Sequence, residues 1–179
     1  MSAAVRVLNP KNPRDGIINN EEIFFGGAGL KFISLSRNTL NDNSQITGIK
    51  HCLKVQMVDK KEHNKYGKFS DSNDVILMEL KLEHTQGIAG VLYGTKKEYK
   101  CAIIRPGKEK KQLHIRKHNK SDSGFSITLS HGGMSFSTGF DSAIGWSLLM
   151  VILSVLKSIH PTLNEQTLIT TFIRTGGIS

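Results

Sequence analysis

The chain has 179 residues, with 24 Lys/Arg against 15 Asp/Glu for a formal net charge of +9, and it is 38% hydrophobic and 22% charged. That size and composition suit one soluble domain with a real core and exclude two comfortable ones. The basicity is local: residues 96–120 hold ten Lys/Arg and two acids, a net of +8, which leaves +1 for the rest of the chain. A concentrated patch of this kind argues for a polyanionic partner more strongly than diffuse charge would.

In chain order, residues 1–28 read as a flexible arm, because NPKNPRDGIINN packs two Pro, a Gly and four Asn into a dozen positions. GGAG at 26–29 leads into a strand at 30–36, and 38–45 is polar loop. A long strand is predicted over 48–59, where Leu53, Val55 and Met57 alternate with Lys54 and Gln56. The polar segment 60–74 reads as a hairpin loop, and 75–83 as a strand with Ile76, Met78, Leu80 and Leu82 on one face. Short strands follow at 87–94, 99–105, 111–117 and 124–130. The basic segment is then two strands joined at Pro106-Gly107.

The pattern changes at residue 141. A continuous apolar run, capped by Asp141 or Ser142 and stopped by Pro161, predicts a helix over 143–159. Its uncharged stretch from Ala143 to Leu156 is 14 residues, short of the about 20 that a bilayer needs. A buried central helix is expected instead, with Trp146, Leu149, Ile152 and Leu153 holding it in the core. The β-branched tail 167–179 reads as a last strand. The fold expected is α+β: an antiparallel β meander packed against one long apolar C-terminal helix, with a flexible arm at 1–28 and a single domain at 29–179. No internal repeat, heptad or low-complexity segment is visible.

Catalytic signatures are missing. No phosphate-cradling Gly-rich loop precedes Lys-Ser/Thr, and GGAG enters a strand rather than a helix. No Gly-x-Ser-x-Gly elbow occurs. His114 and His118 lie four apart, a metal spacing only on a helix, and this region reads as strand and loop. His131 with Asp141 forms no defensible triad beside the far simpler reading of a Gly-Gly corner. Cys52 and Cys101 stand alone in alternating runs, which gives no metal cluster and no disulfide framework and suits small buried thiols in a reducing compartment. The chain is expected to be a non-enzyme with no catalytic residue, metal or cofactor.

The N-terminal MSAAVRVLNPKN has no signal-peptide core, and a cytoplasmic location is expected, which makes the sequon Asn119-Lys120-Ser121 a chance match. Zinc-finger and RRM signatures are absent, and no aromatic residue falls between Tyr99 and Phe125. Contact through charge alone, with phosphate or anionic lipid, is therefore expected. Arg105, Lys108, Lys110, Lys111, Arg116 and Lys117 are the candidate polyanion-binding residues. The competing simple reading makes them a solvated strand edge that blocks edge-to-edge aggregation.

Size, basicity, the arm 1–28 and a meander ahead of an apolar helix at 143–159 resemble the short matrix proteins of plant rhabdoviruses of the cytorhabdovirus kind. The resemblance is architectural, spans most of the chain and rests on no diagnostic motif; NPKNPRDG contains neither PPxY nor PTAP. It implies a virion structural protein that self-associates and links nucleocapsid RNA or nucleoprotein to anionic lipid headgroups. It also implies a place in host cytoplasm and virion, peripheral to membrane. The alternative is a small RNA-binding protein, such as a silencing suppressor or nucleoprotein-like subunit; an unrelated cytosolic scaffold is the third reading.

Overall fold

The computed structural model describes residues 16–174, apart from 44, 63–64 and 119–123 and the side chains of 46 and 172. The first half of the expected arm, the sequon and the end of the tail lie outside the described residues. Two units follow one another, each four antiparallel strands and then a helix. The first has β1 (Gly16–Phe25), β2 (Gly29–Leu40), β3 (Ile46–Val58), a small hairpin of β4 (Lys60–Glu62) and β5 (Lys65–Tyr66), then β6 (Val75–Leu80) and α1 (Leu82–Tyr93). The second has β7 (Glu98–Ile103), β8 (Lys111–Lys117), β9 (Phe125–His131), β10 (Met134–Phe140) and α2 (Ser142–Ile159). A turn of helix, α3 (Glu165–Leu168), widens into a π-helical segment, Ile169–Arg174. The sheets run β1-β2-β3-β6 and β7-β8-β9-β10.

Alternation sets the faces. Leu30 and Phe32 on β2, Leu53, Val55 and Met57 on β3, and Ile76, Met78 and Leu80 on β6 form the inner face of the first sheet, all at 1% exposure or less. Leu113 and Ile115 on β8 with Ile127 and Leu129 on β9 do the same for the second. Each helix leans largely on the other unit's sheet. Helix α2 packs across β1, β2 and β3, and α1 sits against β7 and β8 as well as against β3, β6 and α2. One continuous core results.

The α+β class and the apolar C-terminal helix are as expected. Asp141 is the cap of α2, its carboxylate accepting from the Ile144 amide. Leu148, Leu149, Ile152 and Leu156 point into the core, with Leu153 at 9% exposure. Trp146 does not: it is 55% exposed. Gly145 explains this, since a Cβ there would stand 2.8 Å from the Phe125 ring. Gly145 packs directly against the Phe125 ring of β9, and Trp146 beside it faces solvent.

Other expectations are corrected. The second half of the arm is β1, which pairs with β2 from Gly16↔Arg37 to Phe25↔Gly29. The supposed strand at 87–94 belongs to α1. Its buried residues Thr85, Ile88, Ala89 and Leu92 follow helical spacing. Gly94, at φ 94°, ends it in the left-handed conformation. Leu82, read as the last apolar-face residue of the strand 75–83, opens that helix. The polar loop at 38–45 is shorter than expected because β2 runs to Leu40. The run 134–140, to which no element was assigned, is strand β10. The described part of the tail is helical, with Asn164 accepting from the Thr167 amide at its start. The repeated architecture was invisible as sequence, because only the order of elements recurs.

Candidate functional site

The connection between β3 and β6 folds back over the outer face of the first sheet. Gln56, buried on that face, donates to the Phe69 carbonyl at 3.3 Å. Tyr66 donates its hydroxyl to the Gly26 carbonyl at 2.8 Å. These bonds bring two aromatic rings onto a third: Phe25 lies 4.8 Å from Tyr66 and 6.2 Å from Phe69 between centroids. Phe25 is 53% exposed, so the cluster presents an aromatic surface to solvent while covering Val58 beneath. Lysines surround it. Lys60 stands 5.8 Å over the Tyr66 ring, Lys61 pairs with Asp74 at 2.8 Å and Lys65 with Glu62 at 2.7 Å.

Leu77 is the register partner of Gln56 on β6. It also lines a cavity of about 270 Å³ between the β6 edge and the β7–β8 turn. Met78 and Ile103 add apolar walls, and Arg105, Lys108, Lys111 and His131 supply the polar ones, with Glu79 and Glu109. Aromatic cluster and basic cavity thus lie on one sheet, related through Gln56 and its register partner Leu77.

The six sequence candidates separate. Arg105 and Lys108 are exposed and line the cavity. Lys110 is exposed in the same turn. Lys111 is half-buried and donates to the Leu77 carbonyl at 2.8 Å, tying the second sheet to the open edge of the first. Burial, helped by the Arg105 charge, lowers the pKa of its ammonium. It is an anchor before it is a ligand. Replacing Lys111 with Met should lower stability by about 1–2 kcal/mol, because a charge-assisted bond is lost and an edge carbonyl loses its donor. Urea denaturation checks this: the midpoint should fall with the slope unchanged. Arg116 is elsewhere, on the outer face of the second sheet, donating to the Ser126 hydroxyl at 3.1 Å. The Lys117 ammonium lies beside Gly94 at the C-terminus of α1, where a cation is favoured.

Phe25, Tyr66 and Phe69 were missed because the search for aromatics was confined to 96–120. KYGKF at 65–69, two aromatics interleaved with lysines, was the available signal. The remaining polar groups offer little reactivity. Among the described residues no group of three His, Cys, Asp or Glu could hold a metal. Both thiols are free, and burial pushes Cys101 up to about 11.

The fold is a pair of four-stranded antiparallel sheets, each followed by a helix that helps to close the other. Solved plant proteins share it. WHY3 from Arabidopsis thaliana matches at 15% identity and a TM-score of 0.55, over 89% of this chain and 98% of that one. The plant transcriptional regulator PBF-2 matches at 13% identity and a TM-score of 0.52, over 92% of this chain and 97% of its own. No protein-family model matches the chain, and no curated protein matches it.

Proposed function

We propose that the protein binds single-stranded nucleic acid and catalyses no reaction on it. The observation that carries this reading is the Phe25–Tyr66–Phe69 cluster, with Phe25 exposed and Lys60 over the Tyr66 ring, on the sheet whose β6 edge bounds the cavity of Arg105 and Lys108. Rings that accept the faces of unpaired bases, beside cations that follow the backbone, are the two parts a single-strand binder combines. Duplex bases are already stacked and have no face to offer. The fold shared with a transcriptional regulator agrees with a nucleic-acid partner. Of the three sequence readings this supports the RNA-binding one, widened to single strands generally. The matrix-protein reading rested on size, basicity and one apolar helix, and neither the aromatic cluster nor the fold likeness adds to it.

The test is fluorescence anisotropy with a labelled 12-nucleotide strand and its duplex, over a range of salt. The single strand should bind more tightly, with log K falling linearly against log salt. An Arg105→Glu/Lys108→Glu/Lys110→Glu variant should bind weakly and show a slope smaller by about 2. Equal affinity for strand and duplex, or flotation with anionic vesicles undiminished by excess strand, would sink the reading.

A further inference from the structure

We infer that the cavity between β6 and the β7–β8 turn holds the end of a strand, a terminal nucleotide that carries a phosphate monoester. This rests on the single-strand reading above and names what part of the strand sits there.

The cavity, about 270 Å³, falls just under the range of drug-sized ligand sites, about 300–1,000 Å³. One nucleotide suits it and several do not. Its walls are of two kinds. Leu77 and Ile103 give an apolar surface for a base or sugar. Arg105, Lys108 and Lys111 bring three cations to the same space. Of the two carboxylates present, Glu79 is held by cations outside the cavity and Glu109 stays at its rim. Glu79 is held by Arg37 at 2.7 Å, with Lys50 at 4.0 Å. Glu109 reaches to His131 at 3.9 Å and lies over Gly132 in the β9–β10 turn. Lys111 gives one of its three donors to Leu77 and keeps two.

Shape and charge then select an end over a middle. β6 bounds the cavity on one side, and residues 105–109 bound it on another. Lys111 and His131, at the start of β8 and the end of β9, bound a third. An interior phosphodiester carries one charge and must let the chain leave in two directions. A terminal monoester carries close to two charges at neutral pH and needs one exit. The Arg105 guanidinium suits that dianion with its paired donors. Leu77 in the cavity wall is the register partner of Gln56, whose side chain bonds to Phe69, so the cavity and the aromatic cluster belong to the same sheet.

The experiment uses one 12-nucleotide sequence in three forms: both ends hydroxyl, 5′-phosphate, and 3′-phosphate, each with an internal dye. One phosphorylated form should bind about tenfold more tightly than the unphosphorylated strand. In Arg105→Ala/Lys108→Ala every form should bind more weakly, because two backbone cations are lost, and the ratio between phosphorylated and unphosphorylated strands should fall to one. Equal binding of all three forms to the wild-type protein would overturn the end site and leave the single-strand reading standing. Binding of none would overturn both. Preference for vesicles of phosphatidic acid, whose headgroup is also a phosphate monoester, over every strand would reassign the cavity to lipid and overturn the proposal.

Discussion

Truncating Phe25 and Phe69 together to alanine should weaken single-strand binding about thirtyfold or more without unfolding the protein. Stacking of one base on one ring contributes about 1–3 kcal/mol, so losing two rings costs at least about 2 kcal/mol, which is roughly thirtyfold in Kd. Phe25 is the cleaner of the two, at 53% exposure. Tyr66 is left in place because its hydroxyl fixes the β3–β6 connection to Gly26. Anisotropy with the labelled strand measures the loss, and far-ultraviolet circular dichroism checks the fold. An affinity within threefold of wild type would mean that the aromatic cluster serves only to cover Val58 and Gln56.

The largest effect on stability is expected inside α2. Ile152→Ala should cost about 2–5 kcal/mol, the range for a large residue removed from a core that cannot collapse around the hole. Ile152 is fully buried, on the helix that lies across β1, β2 and β3. A loss of that size is a large share of the about 5–15 kcal/mol that holds a domain folded. Trp146→Ala should cost about 1 kcal/mol or less, because more than half of that side chain already faces water. Chemical denaturation of the two variants side by side decides the matter. Equal losses would place Trp146 in the core after all.

Most strands were legible because one of their faces is buried and the alternation is clean, as in 111–117 and 124–130. Helix α2 was legible from its capping aspartate and following proline. The failures have physical causes. Helix α1 is short and holds three small residues, Gly87, Ala89 and Gly90, so it reads as a Gly-bounded strand. A Cβ at Gly87 would run into the Tyr99 ring, so that glycine serves packing and not a turn. Strand β1 was hidden by asparagines that suggest loops but sit in it at exposed or half-exposed positions. The basic turn was found, yet charge density could not separate Lys111, which bonds across to β6, from Lys108, which lines the cavity. The aromatic half of the site was assembled from β1 and the β3–β6 connection, some forty positions apart, and only folding joins them.

The exchange of helices between the two halves has a consequence for synthesis. When β6 leaves the ribosome the first sheet is complete, but the helix that covers it ends at Ile159. At about 5–20 residues per second, the intervening chain takes on the order of 10 s to appear. Over that interval Phe32, Val55 and Met78 line an apolar face with no α2 to cover it. A nascent chain stalled before α2 should therefore be protease-sensitive and recruit holdase chaperones. Release of the full chain, and not completion of either half, is the moment at which the protein becomes native.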